Sequence, residues 1–210
     1  MQGKTQKTNW PDEEAGSTSQ IVDLVNRARN GDRTAFGHLV ALFHGDIFRM
    51  VYFRTRSEID AEDLTQDIFI QAFKGVKRLK ETDRFRSWLF SIAVNRVRDF
   101  YRKRRFLSFF GEPGEAGKFG IAQSERETEA QPLKNMERRD FWNHVGAFLK
   151  QLSRHEKEVF VMRFMDQLSL REIAEVLGKG ESTVKTHLYR AVKKFRREPR
   201  MQALIGGGIK

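Results

Sequence analysis

Three groups of side chains in this 210-residue chain have the type and spacing to bind charge. From Glu58 to Phe73 there are five acids, Glu58, Asp60, Glu62, Asp63 and Asp67, with no Lys or Arg among them. From Arg84 to Arg105 eight bases stand against Asp99 alone, and from Lys179 to Arg200 eight bases stand against Glu181 and Glu198. Grouped carboxylates can meet a basic partner or hold a divalent cation. Here no histidine accompanies them and the same stretch carries an apolar face, which favours the partner. One basic run is an ordinary solvated helix face. Two such runs in separate halves of a chain of net charge +11 point to a polyanionic partner. The five histidines, His38, His44, His144, His155 and His187, are scattered without metal spacing or a nucleophile. The reading therefore expects no catalytic residue, no metal ligand and no cofactor.

These groups need a helical frame. Pro11, Pro113, Pro132 and Pro199 bound two long proline-free stretches, as helix interiors require. Ile21, Leu24, Val25 and Ala28 recur at helical spacing, and Gly31-Asp32 offers a stop and a new N-cap before Phe36, Leu39, Val40 and Phe43. Leu64, Ile68, Ala72, Phe73, Val76 and Leu79 mark a third helix, and Trp88, Leu89, Ile92, Ala93, Val97 and Phe100 a fourth. Ser153-x-x-Glu156 and Ser169-x-x-Glu172 are capping-box patterns ahead of apolar runs. No alternating strand pattern or internal repeat is present, so the predicted fold is all-α. It comprises two small helical domains over 21–105 and 136–198, joined by a glycine- and glutamate-rich flexible linker over 106–135. The ends, 1–20 and 199–210, are expected to be a disordered extension and a tail.

No cysteine is present, which excludes a disulfide framework, a thiolate zinc finger and a cysteine nucleophile. No apolar run approaches the ~18 residues of a membrane span. A cytoplasmic protein without direct membrane insertion is the expectation.

Within 169–197 the spacing predicts a helix-turn-helix. Ala174 is small where two helices approach, Gly178 suits the left-handed turn, and Val184 anchors the second helix. Leu170, Ile173, Leu177, Val184 and Leu188 form the predicted shared core, with Ser182 or Thr183 as cap of the second helix. The outer face then presents Lys185, Thr186, Tyr189 and Arg190, side chains suited to phosphates and base edges.

The order of segments carries a resemblance. Asp60 to Phe73 resembles core-binding region 2.2 of the bacterial sigma-70 factors. Arg84 to Arg96, followed by Asp99 to Arg105, resembles regions 2.3 and 2.4, and Leu152 to Arg197 resembles region 4. The chain is similar to an extracytoplasmic-function (group 4) sigma factor of domains 2 and 4 alone. The resemblance implies a factor that recruits core RNA polymerase to specific promoters, reads their −10 and −35 elements and promotes melting.

Its implied partners are core polymerase, through the β′ clamp coiled coil and the β subunit, promoter DNA, and an anti-sigma factor. Asp63, Gln66 and Asp67, at three- and four-residue spacing, would meet the coiled coil while Leu64, Ile68 and Phe73 face inward. By motif position Leu79 and Asn95 border the pocket for a flipped −10 base, and Lys80 to Arg84 form the selectivity loop. Arg96 and Arg102 add charge beside them. Lys185, Thr186, Tyr189 and Arg190 would read the −35 duplex, with Arg196 and Arg197 on phosphates. Trp88 could stack on DNA, but its spacing with Leu89 and Ile92 favours the core. The linker would thread the polymerase interior or serve only as a tether, and Phe106, Leu107, Phe109 and Phe110 would pack on the first domain or form a patch for an inhibitor. The competing readings are a stand-alone helix-turn-helix regulator, which needs no acidic helix upstream, and a basic nucleic-acid enzyme.

Overall fold

A computed structural model of the chain describes residues 15–110, 142 and 144–198, with side chains over 19–104, at 142 and over 144–198. All regular elements among these residues are helical. The first group is α1 (Ala15–Arg29), α2 (Arg33–Thr55), α3 (Glu58–Gly75) and α4 (Phe85–Phe110), with short 3-10 turns at Val76–Arg78 and Thr82–Arg84 between the last two. The second is α5 (144–151), α6 (Arg154–Phe164), α7 (Leu170–Leu177) and α8 (Glu181–Phe195). Helix α1 begins six residues before the expected boundary at 21, and α4 runs five past the expected end at 105, no glycine or proline intervening before Gly111. The predicted linker from 111 to 135, the side chains of Phe106 to Phe110 and the tail from 199 lie outside the described residues.

Local chemistry sets the helix ends. Gly31, at φ 98°, takes a left-handed turn that β-carbons disfavour, and Asp32 then caps α2 by accepting from the Ala35 N–H at 2.9 Å. That bond, with the Arg27 guanidinium, holds the Asp32 carboxyl below its ordinary range. Ser57 caps α3, and Glu58 and Asp60 in its first turn suit the positive end of the helix dipole. Both predicted capping boxes form: Ser153 and Glu156 close on α6, Ser169 and Glu172 on α7. Burial pushes the Glu156 carboxyl up, but Lys194 at 2.6 Å and the Ser153 N–H at 2.9 Å outweigh it, and its pKa lies below the usual value.

The core of the first group is built by Leu39, Ile47 and Met50 of α2, Ile68 and Ala72 of α3, and Phe85, Leu89 and Phe90 of α4, each almost fully buried. The Phe85 ring lies between Phe43, 5.5 Å away, and Trp88, 5.7 Å away. Trp88 is half-buried against this core and crosses Gly75 so closely that a β-carbon there would meet its ring at 3.1 Å. Phe73 departs from expectation. It is 43 % exposed, touching Phe36 edge-on at 5.1 Å, because it lines the open groove between α2 and α3 rather than the core.

In the second group Gly178 is left-handed (φ 61°, ψ 38°) and Ala174 and Val184 are buried, as the spacing requires. Leu170 and Leu177 are partly buried against Ile173 and Leu188. The cap of α8 is Gly180, without a side-chain bond, rather than Ser182 or Thr183. The turn is short enough for the helix to start at Glu181, which places both hydroxyl residues inside its first turn. The two groups share one apolar core, since Val159, Met162, Leu168 and Ile173 continue the cluster formed by α1 to α4.

Candidate nucleic-acid interface

On α8, Val184, Leu188 and Ala191 face inward, and the intervening positions turn outward. Lys185, Thr186 and Arg190 are exposed, and Tyr189 is 70 % exposed. The Thr186 hydroxyl donates to the Ser182 carbonyl at 2.9 Å, and Lys185 lies 3.5 Å from Glu181, an exposed pair that water and salt weaken. Arg196 and Arg197 are exposed just past the helix. The four predicted readers thus share one open surface. Behind it, burial and the neighbouring His155, 5.4 Å away between ring centroids, lower the pKa of His187.

The second basic surface is less uniform. Lys80 and Asn95 are exposed, and no described side chain bonds the Asn95 amide. Leu79 is buried, as its place in the apolar periodicity implies, on the extended backbone that follows the Val76–Arg78 turn. Arg96 reaches Asp67 of α3 at 3.0 Å, and Arg102 bonds Asp99 at 3.1 Å. Arg84 is engaged twice, by Glu81 at 2.6 Å and by Glu175 of α7 at 3.2 Å.

The acidic flank of α3 is open. Glu62, Asp63, Gln66 and Asp67 are exposed. Beside them runs a groove of about 710 Å³ between α2 and α3, lined by Phe36, Val40, His44, Phe48, Phe69 and Phe73 as well as Gln66. Sequence reasoning missed this apolar strip, although the exposed Ile70 and Phe73 at i, i+3 were available as its signal. It also missed Arg54, Tyr101 and Asp166. The Arg54 guanidinium donates to both Asp166 oxygens, at 3.0 and 2.5 Å, and the Tyr101 hydroxyl donates to the Arg54 carbonyl at 2.6 Å. Nothing local in sequence links residues 112 positions apart.

The acidic flank of α3, the basic surface along α4 and the exposed face of α8 follow one another along the chain, and comparison with known proteins bears on this directly. Residues 39–106 match the Sigma-70 region 2 family, and residues 145–195 match Sigma-70, region 4. The RNA polymerase sigma factor CnrH of Cupriavidus metallidurans is 30 % identical over 172 residues, 82 % of this chain and 90 % of that protein. The chain belongs to the extracytoplasmic-function sigma factors of the sigma-70 family.

This sigma factor is also 30 % identical to the ECF RNA polymerase sigma factor BldN of Streptomyces coelicolor, over 86 % of its own length and 66 % of BldN. The ECF sigma factor SigW of Bacillus subtilis is 26 % identical, over 86 % of this chain and 97 % of SigW. Among solved structures, CnrH in complex with the cytosolic domain of CnrY superposes with a TM-score of 0.60 at 25 % identity, covering 90 % of this chain and 99 % of that one. Its two matched regions make this protein a transcription initiation factor that works with RNA polymerase, not a stand-alone regulator. Among the described residues no helix is long and apolar enough to cross a membrane, and no group of His, Asp and Glu is arranged to hold a metal ion.

Proposed function

We propose that this sigma factor docks on core RNA polymerase through the acidic flank of α3, captures the opened −10 strand along the loop before α4 and the exposed side of α4, and reads the −35 duplex with α8. The carrying observation is the separation of charge by element: exposed acids on α3, and exposed Lys185, Tyr189 and Arg190 on a helix whose opposite face is locked into a core. Asp63, Gln66 and Asp67 supply polar contacts to the β′ coiled coil, and the adjoining apolar groove supplies buried area. Domain 2 over 21–105 and domain 4 over 136–198 carry these two tasks in the cytoplasm. Phosphodiester chemistry belongs to the polymerase, not to this chain. An anti-sigma factor is a partner suggested by CnrH, whose solved structure contains CnrY. The test is transcription reconstituted from core polymerase, this protein and a promoter library. Start sites independent of the protein would refute the reading.

Within −35 recognition, Arg190→Ala should cost roughly 1–3 kcal/mol at one base pair, since arginine reads a base edge bidentately. Arg197→Ala should weaken all promoters alike and reduce the salt dependence, as loss of a phosphate contact does. Binding measured across a panel of single-base promoter variants separates the two. Identical profiles would refute the division of labour.

Asn95 presents an amide that can donate to and accept from a base edge at once, and a base reached only after unstacking couples recognition to melting. Asn95→Ala should slow open-complex formation on duplex promoters and be partly rescued by a template mismatched across −10. Permanganate reactivity of the melted thymines on both templates reads this out. Since Asn95 is exposed, its loss should leave the melting temperature unchanged. An equal defect on both templates removes it from the site.

A further inference from the structure

His155, at the start of α6, and His187, on α8, face each other with ring centroids 5.4 Å apart. His187 turns its Nδ1 into the protein, where the atom is buried and has no hydrogen-bond partner. The residue sits on the shoulder of the reading face, three positions before Arg190 and so about 60° from it around the helix. His155 is exposed, with its Nδ1 3.5 Å from Glu158. Charge around the pair is unequal. The two carboxylates of α6 are already engaged. Glu156 is buried and held by Lys194 and the Ser153 N–H, and Glu158 is met by Arg98 and Arg154. The cations are more open: the Arg154 side chain is 78 % exposed, and the partly exposed Lys179 acts on His187 from the turn before α8. Arg190 is exposed and has no carboxylate partner among the described residues.

We propose that His155 and His187 form a phosphate contact on the flank of the −35 duplex that closes by taking up a proton, so that this sigma factor holds its −35 element more tightly as pH falls. The proposal rests on the assignment of α8 to the −35 duplex and adds a contact and a pH response to that surface. Position suits a backbone phosphate rather than a base. A helix in the major groove presents its outer face to base edges and its shoulders to the phosphates that border the groove. Lys185, Thr186, Tyr189 and Arg190 hold the outer face, and the histidine pair lies on the shoulder nearest α6.

Linkage fixes the direction of the effect. In the free protein burial opposes the charged form of His187, His155, Lys179 and Arg190 oppose it further, and only Glu156 favours it, so its pKa lies below the ordinary histidine value. A phosphate beside the pair neutralises Lys179 and Arg190 and accepts a charge-assisted bond from the imidazolium, which favours the protonated form. Whatever makes DNA favour the proton makes the proton favour DNA by the same factor. Folding alone has the opposite dependence. Because the pKa is lowered in the folded chain, stability is lost as pH falls through the ordinary histidine range, and the loss is complete below the lowered value. Bound duplex should therefore protect the second helical group against acid.

The test titrates the full chain with a short labelled duplex carrying the −35 element selected from the promoter library, at about pH 8 and about pH 6. The wild-type chain should bind about fivefold more tightly at the lower pH, and calorimetry in buffers of different ionisation enthalpy should show net proton uptake. His187→Gln, which cannot take a proton, should bring the ratio of the two affinities close to one. His155→Lys, a fixed cation at an exposed position, should tighten binding at about pH 8 and narrow the ratio. His38→Gln, exposed on α2, should keep the wild-type ratio. Should His187→Gln melt early, His155→Gln, a change at an exposed position, should keep the fold and still narrow the ratio. A wild-type ratio of one, or proton uptake that survives in both glutamine variants, would overturn the proposal. So would a His187→Gln chain that loses affinity equally at both pH values, since the ring would then serve packing alone. A folded chain that binds the duplex at neither pH overturns the −35 assignment and this proposal with it, whereas binding without proton uptake overturns the proposal alone.

Discussion

Asp63→Arg should weaken binding to core RNA polymerase by at least about a hundredfold while the chain keeps its helical content. Asp63 is exposed on α3 and, among the described residues, has no ion pair, so its reversal disturbs no internal contact. Asp67 is a less clean choice because Arg96 holds it at 3.0 Å, and reversal there would set two guanidinium groups side by side on the protein's own surface. At a docked interface, like charges brought together cost several kcal/mol, and each 1.4 kcal/mol is tenfold in affinity. Titration of labelled protein with core polymerase, beside a circular dichroism spectrum, provides the measurement. A folded variant of unchanged affinity would remove the α3 flank from the interface. Asp67→Arg should show the same loss of affinity together with a lower melting temperature, a difference that separates the two residues.

Phe85→Ala should destabilise the protein by about 3–5 kcal/mol, the usual result of removing a fully buried aromatic ring. Phe85 is the first residue of α4 and lies 1 % exposed between Phe43 and Trp88. At about 2–4 °C per kcal/mol for a chain of this size, the melting temperature should fall by roughly 6–20 °C. The functional effect should exceed the thermal one. Phe85 follows the 3-10 turn at Thr82–Arg84; its N–H keeps the bond to the Thr82 carbonyl after the substitution, but the ring that ties the loop from Lys80 to Arg84 to the core is gone, while α8 keeps its packing on α6 and α7. Below the new melting temperature, −35 duplex binding should persist and −10 opening should fail. Parallel measurement of melting, duplex binding and permanganate reactivity would show this split. Wild-type melting would mean that the ring is not a support, and equal loss of both binding steps would mean that the two halves do not fail separately.

Much of the fold was legible in order along the chain because it depends on local chemistry. Asp32 after Gly31, the boxes at Ser153 and Ser169, and Gly178 between Ala174 and Val184 are each decided by the few residues around them. The face of α8 was legible for the same reason: Val184 and Leu188 at i, i+4 fix which side is buried, and Lys185, Tyr189 and Arg190 are left to solvent. Charge patterning separated the acidic α3 from the basic runs without any coordinates.

What required the tertiary structure depends on residues far apart in sequence. The periodicity of α3 includes Phe73, but its ring lies beside Phe36 on an open groove, which only the packing of α3 against α2 sets. The pairing of Arg54 with Asp166, of Arg86 with Glu172 and of Arg84 with Glu175 joins charges that in sequence look like solvated surface. A guanidinium finds whichever carboxylate the packing of apolar faces brings within about 3 Å, and helical periodicity records which face is apolar, not which other face it will meet. The sequence by itself therefore determined the helices, the caps of α2, α6 and α7 and the exposed face of α8. The tertiary structure alone decided that α4 lies against α7 and which of its arginines are already taken.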